Sequence, residues 1–135
     1  MILLDTDAVS NESKRVPDPN AAAWLASQVD GTLFLSVVTI DEIEYGIAKI
    51  SKSGKEVAAQ KLCAWRDGLV HRFSSRILPV TIEVSKRCGR LRAELGHGGY
   101  DILIAATAIE HGLVVATRNM KHFGPTGVSL VNPWT

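Results

Sequence analysis

Short apolar runs alternate with stretches of helical periodicity, and this alternation limits the fold more than any other feature of the chain. The runs are Ile2-Leu3-Leu4, Leu33-Phe34-Leu35, Arg76-Ile77-Leu78-Pro79-Val80, Leu113-Val114-Val115-Ala116 and the weaker Val128-Ser129-Leu130-Val131. Between them, Ala21 to Val29 has helical composition, and Ile40, Ile43, Ile47 and Ile50 recur at spacings of three and four. Ala58, Leu62, Trp65 and Leu69 repeat that spacing, as do Val84, Cys88, Leu91 and Leu95. Such spacing lines one face of a helix. A last helix is predicted from Asp101 to His111, with Gly112 as its stop. Strands alternating with helices need crossover connections, which give a parallel sheet covered on both faces. The fold class is therefore α/β, three layers (α/β/α) around a central, mainly parallel sheet of four to five strands. Pro79 cannot donate to a ladder, so the third run belongs at a strand end or sheet edge. Asn11 to Asn20, with Pro17 and Pro19, reads as loop. Nothing resembles an interdomain linker, and residues 1–135 are expected to form one domain.

Bulk properties narrow the chemistry little. The chain has 135 residues and a formal charge of +1, so any polyanion site must be a local patch. Cys63 and Cys88 lie in helical stretches without metal-ligand spacing and read as thiols rather than a disulfide or zinc site. No apolar stretch approaches the roughly 20 residues a membrane span needs, and no secretory leader pattern is present. A cytoplasmic protein is expected, with no membrane partner.

Three carboxylates stand where apolar runs meet helix starts. Asp5 ends the first run, Glu42 follows Leu35-Ser36-Val37-Val38-Thr39, and Asp101 opens the last helix. In an open α/β sheet, ligands bind beyond the carboxyl ends of the strands. Carboxylates converging there would suit a hard divalent cation such as Mg²⁺ or Mn²⁺. Each acid has an alternative role as a helix cap, best supported for Glu42, because Thr39-Ile40-Asp41-Glu42 fits a capping box.

Together these segments resemble a known family. Ile2-Leu3-Leu4-Asp5-Thr6-Asp7-Ala8-Val9-Ser10, Leu35 through Ile43 with Tyr45-Gly46, Arg76 through Val80, Asp101 through Ala108, Thr117-Arg118-Asn119 and Asn132-Pro133-Trp134 are similar, in order and spacing, to the PIN domains of VapC-type toxins, most closely the FitB-like branch. The resemblance implies a PIN-like fold and a Mg²⁺- or Mn²⁺-dependent endoribonuclease, the toxin of a toxin–antitoxin pair. It implies a homodimer, or a heterotetramer or hetero-octamer with a VapB/FitA-like antitoxin, through which alone operator DNA would be bound. Asp5, Glu42 and Asp101 fall on the family's acidic positions, with Asp5 and Asp101 expected as direct metal ligands and Glu42 as a ligand or holder of metal-bound water.

Two departures from the family pattern matter. A fourth acid, usual at the place of Asn119 or His122, is missing; Asn119, His122 or Asp7 could take its role. Asp7 stands where the family commonly has Asn, and either adds charge or caps the next turn. Thr6 and Thr117 are supporting candidates. RNA also needs cations near the acids, and Arg118 is the first candidate, ahead of Lys121, Lys14, Arg15 and the run Lys86, Arg87, Arg90 and Arg92. Two other readings compete. One is a PIN scaffold that has lost cleavage but keeps antitoxin or RNA binding. The other is a haloacid-dehalogenase-like phosphohydrolase, because Asp5-Thr6-Asp7-Ala8-Val9 fits DxDx[TV], although no downstream Asp-Asp pair follows.

Overall fold

The structure is a computed structural model and describes residues Met1–Thr135. The apolar runs become β1 (Ile2–Leu4), β2 (Leu33–Ser36), β3 (Ile77–Leu78), β4 (Val114–Ala116) and β5 (Leu130–Val131). They form one five-stranded sheet in the order β3-β2-β1-β4-β5. All four pairings are parallel. β1 lies in the middle, with Ile2 opposite both Leu33 and Val114, and Leu4 opposite Ala116. β3 lies on an edge and stops before Pro79, where the missing N–H costs no ladder bond.

Successive strand residues face opposite layers, and the core divides accordingly. Leu4, Leu33, Leu35 and Ala116 pack with Val9, Ile43, Ile47, Leu69 and Phe73 on one side. Those partners come from α1 (Thr6–Ser10), α3 (Val37–Lys52) and α4 (Glu56–Arg72) with its C-cap Phe73, while α2 (Pro19–Ser27) adds Trp24 and Leu25. On the other side Leu3 and Val115 pack with Ile104, Ala105 and Ala108 of α6 (Tyr100–His111) and with Phe123 of α7 (Met120–Phe123). Behind α6, Val84, Cys88 and Leu91 of α5 (Ile82–Leu95) meet Ile102 and Ala106. This is the expected three-layer α/β/α arrangement. Leu3 and Leu4 are fully buried, each contributing about 2 kcal/mol by area removed from water. The strand that carries Asp5 is thereby anchored from both faces.

Several boundaries differ from the sequence reading. α3 begins at Val37, with Ser36 as its N-cap accepting from Val38 N–H at 3.1 Å. Thr39 is thus already inside the helix, and the Thr39–Glu42 capping box does not form. Glu42 stands in the second helical turn. α2 starts at Pro19 rather than Ala21, because Asp18 caps it through Ala21 N–H at 2.9 Å and proline suits the first helical position. The expected loop from Asn11 is shortened accordingly, and its first residues, Asn11–Ser13, form a 3₁₀ turn. Gly112 does stop α6, at a φ of 65°. Both cysteines are free thiols. No helix is long and apolar enough to cross a membrane.

Candidate active site

Asp5 follows β1 directly and extends its pairing by one residue, donating its backbone N–H to Ala116 carbonyl at 3.0 Å. Thr117 extends β4 in the same way, donating to Val131 carbonyl at 3.0 Å. The two residues therefore stand side by side at the carboxyl edge, where the Thr117 hydroxyl acts to lower the Asp5 carboxyl. Asp5 also caps α1, its Oδ1 accepting from Ala8 N–H at 2.8 Å. Only 5% of its surface is exposed. Burial pushes its carboxyl up to about 6, and the Asp7 and Asp101 charges add to the rise, against two hydrogen bonds that lower it. Cap and candidate ligand are therefore the same side chain.

Glu42 comes from the adjoining helix. Its Oε1 accepts from the Thr6 hydroxyl at 2.6 Å, and the same hydroxyl lies 3.1 Å from Thr39 Oγ1. Burial raises the Glu42 carboxyl despite the Thr6 bond, and Asp101, Asp7 and Asp41 add repulsion. Asp101 lies in the first turn of α6. Its Oδ2 accepts from Asn119 Nδ2 at 3.1 Å and stands 3.2 Å from His122 Nδ1, and these two nitrogens are 2.8 Å apart. Asn119 is itself steadied by its N–H, which donates to Thr117 Oγ1 at 2.9 Å.

The carboxyl edge thus brings Asp5, Glu42, Asp101, Asp7, Thr6, Thr117, Asn119 and His122 into one neighbourhood. Asp5 is coupled electrostatically to Asp101 and Asp7, and Glu42 to the same two acids. No three His, Cys, Asp or Glu side chains close into a group that could hold a metal ion. The donor chemistry still fits Mg²⁺ or Mn²⁺. These ions take hard carboxylate oxygens, and Mg²⁺ keeps several waters and needs only one or two carboxylates. Asp5, Asp101 and Glu42 supply such oxygens, and no basic side chain offsets the charge of Asp5 or Glu42.

The candidate cations are placed unequally. Arg118 Nε lies 3.7 Å from Asp7 Oδ2, and its guanidinium covers the Trp134 ring at 5.1 Å. It stands at the acidic edge, half exposed and held from two sides. Asp7 lies inside α1, whose cap is Asp5, and faces Arg118. On α5, Arg87 pairs with Glu110 and Lys86 approaches Glu83, so that run is a partly paired helix face. Lys14 and Arg15 are exposed in the early loop.

A cleft of about 300 Å³ opens over Glu42 and Asp101, walled by His97, Gly98, Tyr100 and His122. A family model described as "PIN domain" matches residues 2–123.

The chain is a PIN-domain protein.

Its relatives place the PIN domain more closely. VapC ribonuclease Y4jK of Sinorhizobium fredii is 32% identical, with 99% of this chain and 98% of that protein covered. Toxin FitB of Neisseria gonorrhoeae is 33% identical, with 99% of each covered. Among solved structures, FitAB bound to the IR36 DNA fragment superposes with a TM-score of 0.83 at 31% identity, covering 100% of this chain and 96% of the other. The chain is thus closely related to the VapC/FitB-type toxins of toxin–antitoxin systems. PIN membership leaves the dehalogenase-like reading of Asp5-Thr6-Asp7 without support.

Sequence reasoning misses three features of this PIN site. Thr6 is one candidate among several by sequence, yet it makes the short bond that holds Glu42. Tyr100 carries no signal in the sequence; it sits beside Asp41, which raises its phenol, on the wall of the cleft. His122 is the surface side chain the sequence suggests, but the four-residue helix α7, absent from the sequence reading, turns it onto Asp101. Only its neighbour Phe123, a fully buried anchor, signals that this segment packs down.

Proposed function

We propose that this chain is a Mg²⁺- or Mn²⁺-dependent endoribonuclease, the toxin of a VapBC/FitAB-like toxin–antitoxin system. The observation that carries the reading is Asp5: a buried carboxylate at the carboxyl end of the central strand, raised to about 6 and facing further acids. A protein keeps such a group where a cation or a proton is meant to meet it. Asp5 and Asp101 would hold the metal, with Glu42 as a third ligand or the holder of a water. When bound, the cation would acidify water, polarise a phosphate oxygen and steady the leaving oxygen.

The chain's own residues do the positioning. Thr6 fixes the Glu42 carboxylate through the 2.6 Å bond, so that it can orient an attacking water in line with the scissile bond. Asn119 fixes Asp101 by donating to Oδ2, Thr117 fixes Asn119, and the Ala8 N–H fixes Asp5. Arg118, half exposed at this edge, is the cation placed to meet an RNA phosphate. Hydrolysis adds water across the P–O3′ bond, leaving a 5′-phosphate and a 3′-hydroxyl.

By the same relationship, the partners proposed are a FitA/VapB-like antitoxin and a second copy of this chain, in a homodimer, heterotetramer or hetero-octamer. Operator DNA would be contacted through the antitoxin. Antitoxin-free protein should cut RNA with Mg²⁺ or Mn²⁺, stop with EDTA, and lose cutting with Asp5→Asn. Wild-type rates in Asp5→Asn would sink the metal-nuclease reading. Antitoxin binding without any RNA cleavage would favour the second reading, a scaffold that has lost catalysis, which the missing fourth acid motivates.

A further inference from the structure

The ring of His122 is turned onto Asp101 by two contacts. Nδ1 lies 3.2 Å from Asp101 Oδ2, and Asn119 Nδ2 lies 3.1 Å from that oxygen and 2.8 Å from that nitrogen. With the ring proton on Nε2, Asn119 donates to Nδ1 and Oδ2 together, so the two lone pairs converge on one donor. Convergent lone pairs are what a cation needs. Neighbouring ligands of an octahedral ion with bonds of about 2.1 Å stand about 3 Å apart. The 3.2 Å separation of Nδ1 and Oδ2 matches such an edge. The ring also lines the cleft over Glu42 and Asp101 and remains largely open to solvent, so no backbone movement is needed for access.

We infer that His122 is a nitrogen ligand to the catalytic cation, and that it turns this site from Mg²⁺ toward a divalent transition metal. The inference rests on the metal-dependent reading above. Mg²⁺ accepts imidazole poorly, whereas first-row transition ions bind nitrogen more strongly along their series. An acid at this position would add charge and favour Mg²⁺ and Mn²⁺ alike. An imidazole adds no charge and separates the two. Asn119 then serves as the group that holds Asp101 and His122 in register while no cation is bound.

The test uses full-length protein freed of any affinity tag, and the metals alone. Pulsed EPR of the Mn²⁺ complex should reveal ¹⁴N coupling typical of a bound imidazole. His122→Ala should abolish that coupling and weaken Mn²⁺ binding in calorimetry by at least roughly tenfold. His97→Ala should leave the coupling intact, which controls for the other imidazole of the cleft. His122→Asp should lose the coupling, bind Mg²⁺ more tightly than wild type, and narrow the Mn²⁺ to Mg²⁺ preference by roughly tenfold. Mn²⁺ that binds in an Asp5-dependent manner without ¹⁴N coupling overturns this inference and leaves the nuclease reading standing. Coupling that survives in His122→Ala also overturns it. Failure to bind either metal, with wild type and His122→Asp alike, overturns both.

Discussion

The two edges of the sheet carry acids treated in opposite ways. At the amino edge, Asp30 lies just before β2 and accepts from Arg72 at 2.6 and 2.9 Å and from Arg76 at 3.3 Å. Those hydrogen bonds and charges lower its carboxyl below the usual range. Both guanidiniums also lie over the buried Phe73 ring, at 5.1 and 4.8 Å, so the network is tied to the core. At the carboxyl edge Asp5 is buried, meets further acids and is raised. The chain has arginines available and places none against Asp5. The amino-edge acid holds structure; at the carboxyl edge Asp7 faces Arg118, but Asp5 and Glu42 are left without a cationic partner, which a structural role does not explain.

The strongest way to break this contrast is Asp5→Asn. Asparagine keeps the oxygen that accepts from Ala8 but removes the charge, so cleavage should fall by more than about a hundredfold, beyond the loss typical of outer partners. Metal-free stability at pH 7 should rise by up to about 3 kcal/mol, since each tenfold change in proton affinity between folded and unfolded chain is worth about 1.4 kcal/mol. Urea unfolding and an RNA cleavage assay read the two effects. A variant less stable than wild type would mean that the Asp5 charge is compensated within the protein.

The pH dependence follows with its sign. Between the ordinary carboxyl value of 3.8 and about 6, folded Asp5 holds a proton that the unfolded chain has released. Its contribution therefore becomes less favourable as pH rises through that window, and the penalty is complete above about 6. Asp30 behaves oppositely: its stabilisation is present above 3.8 and is lost only as pH falls through its lowered value. Mg²⁺ or Mn²⁺ at about a hundred times its dissociation constant should stabilise the protein by about 2.7 kcal/mol at pH 7. The gain should shrink near pH 4.5. Thermal unfolding with and without metal checks this, and an equal gain at both pH values would contradict it.

Smaller effects sharpen the division. Thr6→Val removes the hydroxyl that fixes Glu42 and should lower cleavage roughly tenfold with little change in substrate affinity, read as kcat against KM. Asp30→Asn should cost about 1 kcal/mol or less, because its side chain is half exposed and screened. Cleavage should be unchanged, and added salt should reduce the difference. Should Asp30→Asn impair cleavage as much as Thr6→Val, the two edges would not be separate in function.

The parallel sheet is legible in the sequence because its signals are local and redundant: short apolar runs, helical stripes between them, and Pro79 marking an edge. The start of α3 is not. Val37-Val38-Thr39 continues the β-branched character of a strand, and the Thr39–Glu42 capping pattern offers a plausible later start. Ser36 wins because β2 ends there, and burial of Val38, Thr39 and Ile43 outweighs the weak helix propensity of β-branched residues. Asp5 and Asp101 can be placed at the carboxyl edge from strand order alone. The contacts of His122 cannot, since they depend on a single helical turn seated by Phe123. The Thr6–Glu42 bond joins residues 36 apart in sequence, and no local pattern announces it.

The central position of β1 also governs when the site comes into being. Asp5 is made before both of the strands that flank its own, and that strand is completed only when β2 and β4 lie on either side. Asp5 N–H is bound by Ala116, and Asn119 and His122 follow still later in the chain. Such long-range pairing must wait for distant segments, and a growing chain appears at about 5–20 residues per second. A nascent fragment therefore carries the acids without the edge that assembles them, and a site built this way stays incomplete until synthesis has passed α7.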